Sequence, residues 1–362
     1  MNFFKNVFAT VVGIFLFMLL SFFLLIGLGA LLGSGEEKVK LKDNSVIQLD
    51  LAKINFDYAG KYETDSPFSS LMMSKDKVGF IEVLKAIDAA KTDDKIKGIT
   101  LVNNQSGLGL AQSKELRDKL EDFKKSKKFV YAYANIFSQK EYYISSIADQ
   151  VYLNPAGEVD FKGLGTELLF FKNFQDQTGL KMEIIRHGKF KSAVEPYLAQ
   201  EISPETREQV MVLLQSVWKT IVTDIAKNRN ISVAQLNTIA DGLLARTPQM
   251  ALQQKLVDKV AYEDEFNDML KSKLKVEKDE DVESISITDY VDHSSAKSED
   301  YTKDDIIAVI YAQGQINGGE GDVDYIGEGS INRSLKEARE DEDVKAIVLR
   351  VDSPGGSALV SE

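Results

Sequence analysis

Val344-Lys345-Ala346-Ile347-Val348-Leu349-Arg350-Val351-Asp352-Ser353-Pro354-Gly355-Gly356-Ser357-Ala358-Leu359-Val360 is the stretch on which the reading of this chain turns. Val344 to Val351 is rich in β-branched residues and predicts a strand. Ser-Pro-Gly-Gly predicts a turn, and Ala358-Leu359-Val360 the start of a helix. Two glycines at a strand-to-helix turn let backbone N–H groups point into a cavity. Such a cradle stabilises negative charge, either a phosphate or the oxyanion of acyl transfer. On the residues alone an ordinary turn, with glycines for backbone freedom, stays open beside that reading. Ser357 is a candidate nucleophile at a helix N-terminus, but no G-x-S-x-G elbow surrounds it.

The same pattern occurs earlier in the chain. Residues 79–113 match residues 327–361 without a gap, 248 positions apart. Gly79 falls on Gly327, Ile87 on Leu335, Ala90 on Ala338, Asp93 on Asp341, Lys97 on Lys345, Ile99 on Ile347, Leu101 on Leu349 and Gly107 on Gly355. Helix, acidic turn, strand and glycine turn recur in order, which points to an internal repeat. The first copy has Gln105-Ser106-Gly107-Leu108 where the second has Ser353-Pro354-Gly355-Gly356. It keeps the fold pattern and loses the paired glycines.

Around these two units, strands are predicted at Ser45 to Leu51, Ile96 to Val102, Phe129 to Ala134, Val151 to Leu153 and Ile306 to Tyr311, and a helix at Val78 to Ala90. Alternation of helices and strands predicts α/β layers with mainly parallel pairing. Ser203-Pro204-Glu205 is a helix start, with N-cap serine, proline in the first turn and then an acid. Val210, Leu214, Val217, Ile221 and Ile225 follow at helical spacing, with Trp218 beside them, and read as core or subunit interface. Residues 273–305, rich in Asp, Glu, Lys and Ser, read as an acidic linker, disordered in part.

No charge falls between Lys5 and Glu36, and Val7 to Leu32 is almost wholly apolar. About 20 such residues span a bilayer, whereas the core of a cleavable signal is about 7–15. A retained anchor is the expectation; Gly33, Ser34 and Gly35 keep cleavage open. Lys5 before the span and Glu36-Glu37 after it favour the N-terminus inside and the bulk of the chain outside. The net charge of −12 argues against a nucleic-acid partner. The run Lys124-Lys125-Ser126-Lys127-Lys128 reads as a solvated helix end. There are no cysteines, so disulfides and thiolate metal sites are excluded. No segment has metal-ligand spacing, and no phosphate-binding glycine motif follows a strand.

Two histidines leave a Ser/His/Asp triad poorly supplied: His187, a candidate general base, and His293, in the acidic stretch. A lysine replaces histidine as base when desolvation lowers its pKa. Lys191, flanked by the apolar Phe190 and Val194, is the candidate, with a solvated surface lysine as the plain alternative.

Gly188-Lys189-Phe190-Lys191-Ser192-Ala193-Val194-Glu195-Pro196 resembles the lysine segment of the signal peptide peptidase A family, long form, also called protease IV. Leu349 to Ser357 resembles its oxyanion segment, and Ile310-Tyr311-Ala312 with Gly314 and Ile316 its second-half entry strand. Ser138-Gln139-Lys140-Glu141-Tyr142-Tyr143 and Asn154-Pro155 resemble its first half. Ala251 to Asp258 is similar to the wider Clp-protease and crotonase superfamily. The resemblance implies a membrane-anchored Ser/Lys endopeptidase with tandem crotonase-like (Clp-protease-like) domains, needing no metal or nucleotide cofactor. Its expected organisation is an anchor at 1–35, a first domain at 43–272, the linker at 273–305 and the start of a second domain at 306–362. Lys191 is then the general base, and Gly355 and Gly356 the oxyanion donors. The family serine sits in an Ala-Ser-Gly-Gly-Tyr-like segment. The repeat puts its counterpart of Ser138 at about position 386, past Glu362.

A truncated and inactive chain without its nucleophile is therefore expected, with Ser353 and Ser357 shaping the turn. Expected partners are hydrophobic signal-peptide remnants, the membrane, and further copies in a ring-like tetramer. The expected location is the bacterial inner membrane, single-pass, with the bulk periplasmic. The alternatives are a catalytically dead, membrane-anchored scaffold or peptide-binding protein, and an acyl-CoA enzyme, which the anchor and the Lys191 segment disfavour.

Overall fold

A computed structural model describes residues 2–33, 41–54, 57, 78–102, 106–298, 305–322 and 325–362. Ser34, Gly35 and Gln105, which entered the reading of the anchor and of the first-copy turn, lie outside them. The described chain forms two units, residues 1–40 and 41–362. The first is a single helix, α1 (Asn2–Gly33). Its Phe3–Leu24 stretch has a mean hydropathy of 2.7 over 22 residues, long and apolar enough to span a membrane.

The second unit is α/β. In chain order it holds β1 (Ser45–Asp50), α2 (Phe80–Thr92), β2 (Ile96–Val102), α3 (Leu110–Lys124), β3 (Phe129–Phe137), α4 (Gln139–Ser145) and β4 (Gln150–Val159). Then come α5 (Lys172–Thr178), α6 (Glu195–Leu198), α7 (Pro204–Arg229), α8 (Val233–Asp241) and α9 (Pro248–Gln253). β5 (Lys259–Val260), α10 (Glu263–Leu274), β6 (Ser284–Ser286) and α11 (Ile287–Ser298) follow. The remainder is β7 (Ile306–Gln313), β8 (Gln315–Ile316), β9 (Tyr325–Ile326), α12 (Glu328–Glu340), β10 (Val344–Asp352) and α13 (Ala358–Ser361).

Six strands form one sheet in the order β5-β4-β3-β2-β1-β6, every pairing parallel. Both faces of its central strands are covered, so β2 and β3 read as near-continuous apolar runs. Ile47, Ile99, Val130 and Val151 are fully buried in a core that also takes Phe80 and Ile87 from α2 and Leu116, Leu120 and Phe123 from α3. The other face is a smaller cluster, in which Phe266 of α10 packs on Tyr133 and Tyr152. Arg117 of α3 is buried and fastens three helices together. It donates to the Tyr143 carbonyl (2.6 Å) and Ser146 Oγ (2.9 Å) beside α4, and to the Asp224 carbonyl (2.9 Å) of α7.

The repeat is present as structure. α2 and α12 are each 13 residues long and start 248 positions apart, as do β2 and β10. In both copies the strand after the helix pairs in parallel with the strand before it, Ile99 with Ile47 and Ile347 with Ala308.

Three segments differ from the reading of the sequence. Residues 273–305, read as a linker, contain β6, which pairs with β1 at the sheet edge, and α11, which packs on α2. Ile285, Ile287, Tyr290 and Val291 enter the main core, because four apolar side chains set among acids suffice for one amphipathic turn and an edge strand. The α7 stripe is fully buried only at Ile221 and Ile225; Val217 and Trp218 pack partly buried against the core, and Val210 and Leu214 are half-buried. In the basic run, Lys125 is solvated, but Lys128 Nζ donates to the carbonyls of Ala90 (2.6 Å) and Asp93 (2.7 Å), capping the C-terminus of α2.

Candidate active site

The two glycines of the closing turn serve different purposes. Gly355 has φ +101°, a conformation that side chains rarely adopt, with open space around its α-carbon. Gly356 lies against Ile316, and a Cβ there would sit 2.1 Å from the Ile316 carbonyl oxygen. Ile316 and Gly356 form a parallel bridge, in which Ile316 N–H donates to the Gly355 carbonyl (3.1 Å) and Ser357 N–H to the Ile316 carbonyl (3.0 Å). In that pattern the N–H of Gly356 points to the side away from Ile316. The Gly355 N–H is directed instead to Ser353 Oγ (3.1 Å). Ser357 is the N-cap of α13, its Oγ accepting the Val360 N–H at 3.4 Å. The turn therefore presents Gly356 N–H as an outward donor, with Ser353 and Ser357 engaged in holding its shape.

The matching turn of the first copy is closed from inside. Glu141, buried at the start of α4, accepts the N–H of Ser106 on Oε1 (3.0 Å) and that of Ser138 on Oε2 (3.2 Å). Lys140 Nζ donates to the carbonyls of Ser106 and Leu108, both at 2.7 Å. Ser138 caps α4, its Oγ accepting the Glu141 N–H at 3.3 Å. An internal carboxylate and ammonium thus engage the Ser106 N–H and the Ser106 and Leu108 carbonyls, and Ser138 works as a helix cap. The Ser-x-x-Glu spacing of a capping box carries that signal in the sequence.

Lys191 begins a short 3₁₀ turn, Ser192–Val194, that leads into α6. It lines an open hollow of about 470 Å³ with Ile185, Arg186, His187, Phe190 and Ala193. Arg186 Nη1 donates to the Lys191 carbonyl at 3.3 Å. Phe190 is 55% exposed, so the apolar shielding expected around the lysine is absent within one chain. His187 lines the same hollow. The Ser353–Ser357 turn does not, and the structure does not bring Lys191 and Gly356 into one cavity.

Glu195, four residues on, is the group that sequence reading passed over. It is buried, and its carboxylate accepts the Ser203 N–H (2.5 Å), Ser203 Oγ (3.0 Å) and Thr206 Oγ1. Burial pushes its carboxyl up, but these bonds outweigh burial and hold it below the usual range. The lysine segment is thereby clamped to the N-terminus of α7. Pro196 and Tyr197 complete the anchorage: Phe171 N–H donates to the Pro196 carbonyl (2.7 Å), and Phe171 stacks on Tyr197 at 5.5 Å. The N-cap Ser203 was legible in the sequence; its acceptor eight residues earlier was not.

Residues 122–277, which include Lys191, match the model of Peptidase family S49. The chain is 35% identical over 294 residues to Protease 4 of Haemophilus influenzae, covering 79% of this chain and 48% of that protein. It is 34% identical over 290 residues to Protease 4 of Salmonella typhi, with coverages of 78% and 46%. The chloroplastic serine protease SPPA of Arabidopsis thaliana is 30% identical over 285 residues, with coverages of 75% and 41%. The chain thus spans about half the length, or less, of these curated relatives. It combines an N-terminal helix able to span a membrane with an α/β unit, part of which matches this family model.

Proposed function

We propose that this chain is the base-bearing and oxyanion-bearing part of a membrane-anchored Ser/Lys endopeptidase that degrades cleaved signal peptides and other small hydrophobic peptides. The observation that carries the reading is that one chain holds Lys191 within a Peptidase family S49 segment and a Ser-Pro-Gly-Gly turn with Gly356 N–H directed outward. Lys191, as the neutral amine, takes the proton of a serine hydroxyl while that oxygen attacks the scissile carbonyl. The Gly356 N–H, with Gly355 giving the turn its shape, stabilises the oxyanion. The leaving amine then takes the proton from the lysine, and water releases the acyl group from the serine. The serine belongs to the segment that would follow the closing turn, at about position 386 by the repeat.

The two βαβ units are, in this reading, the cores of tandem crotonase-like domains, the first running on through α11 to Ser298 and the second from 306 onward. α1 anchors the chain once in a bacterial inner membrane, with the bulk outside the cytoplasm. The open hollow around Lys191, and the exposed Leu169, Phe174, Leu180, Ile185 and Phe190 near it, support a site completed by a neighbouring copy in a ring-like homo-oligomer. Burial at that contact would supply the desolvation that a lysine base requires.

The test uses a chain extended through the serine segment and a hydrophobic peptide ester. Lys191→Ala is expected to abolish hydrolysis while leaving the melting temperature unchanged. Near-normal turnover by that variant would sink the assignment of the base.

A further inference from the structure

Arg350 lies on the strand that delivers the Ser-Pro-Gly-Gly turn, three residues before Ser353. Its side chain does not stay with its own copy of the repeat. Nε donates to Asp57 Oδ2 at 2.7 Å, and Nη2 to Asp57 Oδ1 at 3.2 Å and to Glu115 Oε2 at 3.1 Å. Asp57 lies between β1 and α2 of the first copy and is 4% exposed. Gln112 Nε2 also donates to Asp57 Oδ1 (2.8 Å), and the Asp57 carbonyl accepts the Ile81 N–H (2.9 Å) at the start of α2. Gln112 and Glu115 belong to the beginning of α3, the helix that leaves the glycine-poor turn of the first copy.

A planar guanidinium held by both oxygens of one carboxylate fixes direction as well as distance. Burial pushes the Asp57 carboxyl up, and the hydrogen bonds and charge of Arg350, with Gln112, more than offset it. Removing the arginine leaves a carboxylate in a place it cannot leave, which makes the contact decisive for the local fold. The first copy has Val102 at the position of Arg350, so the repeat does not itself call for an arginine there.

We infer that Arg350 is a positioning residue, which through Asp57, Glu115 and Gln112 fastens the oxyanion strand of the second copy onto the first copy. The copy without paired glycines thereby serves as the dock for the copy that has them. The fastening stands on geometry alone; its consequence for turnover rests on the peptidase reading above.

The first experiment is hydrogen exchange on the full chain in detergent micelles. In Arg350→Met, exchange at residues 353–357 and along β7 is expected to rise on the order of tenfold or more, while β2, β3 and β4 keep their protection. Arg350→Lys falls between, since it keeps the charge and loses the fork. Should Arg350→Met fail to fold, Asp57→Asn keeps the shape of the pair and is expected to show the same local rise. Arg339→Met, an exposed arginine on α12, is the control and leaves exchange unchanged. Unchanged exchange in both Arg350→Met and Asp57→Asn, or a uniform rise across β2 to β4, overturns the inference.

The second experiment uses the chain extended through the serine. Arg350→Met is expected to lower kcat on the order of a hundredfold with KM little changed, since displaced groups cost turnover more than binding. A raised KM at unchanged kcat would overturn the positioning role. An inactive parent would count against the peptidase reading alone, because the exchange measurement still decides the fastening.

Discussion

Gly355 and Gly356 sit side by side and differ in what an alanine would meet. At Gly355 a methyl group enters open space, and the cost is backbone alone, because φ is +101°. That is worth about 1–3 kcal/mol. At Gly356 the methyl group meets the Ile316 backbone, its nearest atom 2.1 Å away, so the bridge must open. Gly355→Ala is therefore expected to keep amide protection at Ile316 and Ser357, and Gly356→Ala to lose it, as read by hydrogen exchange. Equal loss in both variants would show that backbone conformation, not close approach, governs the turn. The same distinction bears on the proposed chemistry. The outward direction of the Gly356 N–H depends on the bridge through Gly355 and Ser357, so Gly356→Ala removes the donor's orientation even where the N–H itself survives.

At the scale of elements, the repeat shows what was legible and why. α2 and α12 are bounded by the same signals, a glycine N-cap before and an acidic turn after, and their limits follow the alignment residue for residue. β1, β2, β7 and β10 are short apolar runs between such signals, and their parallel pairing follows from the intervening helix. β6 and α11 were not legible, because local charge outweighs four apolar residues in any composition window. Only the edge of β1 and the exposed flank of α2 reveal what those four cover. Lys191 was legible as a motif, but its surroundings were not, since Glu195, four residues on, ties the segment to Ser203 and Thr206 at the start of α7 rather than to neighbours in sequence. The reassignment of 284–298 from linker to core has a direct check. Tyr290 is fully buried and donates its hydroxyl to Asp93 Oδ2 at 3.2 Å. Tyr290→Ala is expected to cost about 3–5 kcal/mol in urea unfolding, as a large core residue does. A cost below about 0.5 kcal/mol is what a solvated linker position would give.

Over the whole molecule the charge balance is acidic, yet several carboxylates are more stable ionised in the folded chain than in the unfolded one. A hydrogen bond from Lys91 leads the causes that take Asp122 down to about 2, and one from Lys227 leads those that lower Glu121. Asp57 and Glu195 are lowered by their hydrogen bonds against the opposing effect of burial. Each group has its folded value below its ordinary value of 3.8 for Asp or 4.5 for Glu. The unfolded chain therefore takes up protons first as pH falls, and the stability these groups contribute above about pH 5 is lost progressively as pH drops towards about 2. Trp218, the single tryptophan, packs on Phe161 at 5.4 Å and donates to Asn237 Oδ1 at 2.9 Å, so its fluorescence reports the first-copy core. Thermal unfolding followed at Trp218 is expected to be level from about pH 5 to 8 and to fall steeply below about pH 4. Asp57→Asn removes one of these groups. It should melt lower than the parent at pH 7, where the ionised pair with Arg350 is intact, and the gap should narrow as acid protonates Asp57 in the parent. A gap that stays constant down to about pH 2 would mean that the Asp57 charge adds nothing beyond shape, and that the two copies are held by packing alone.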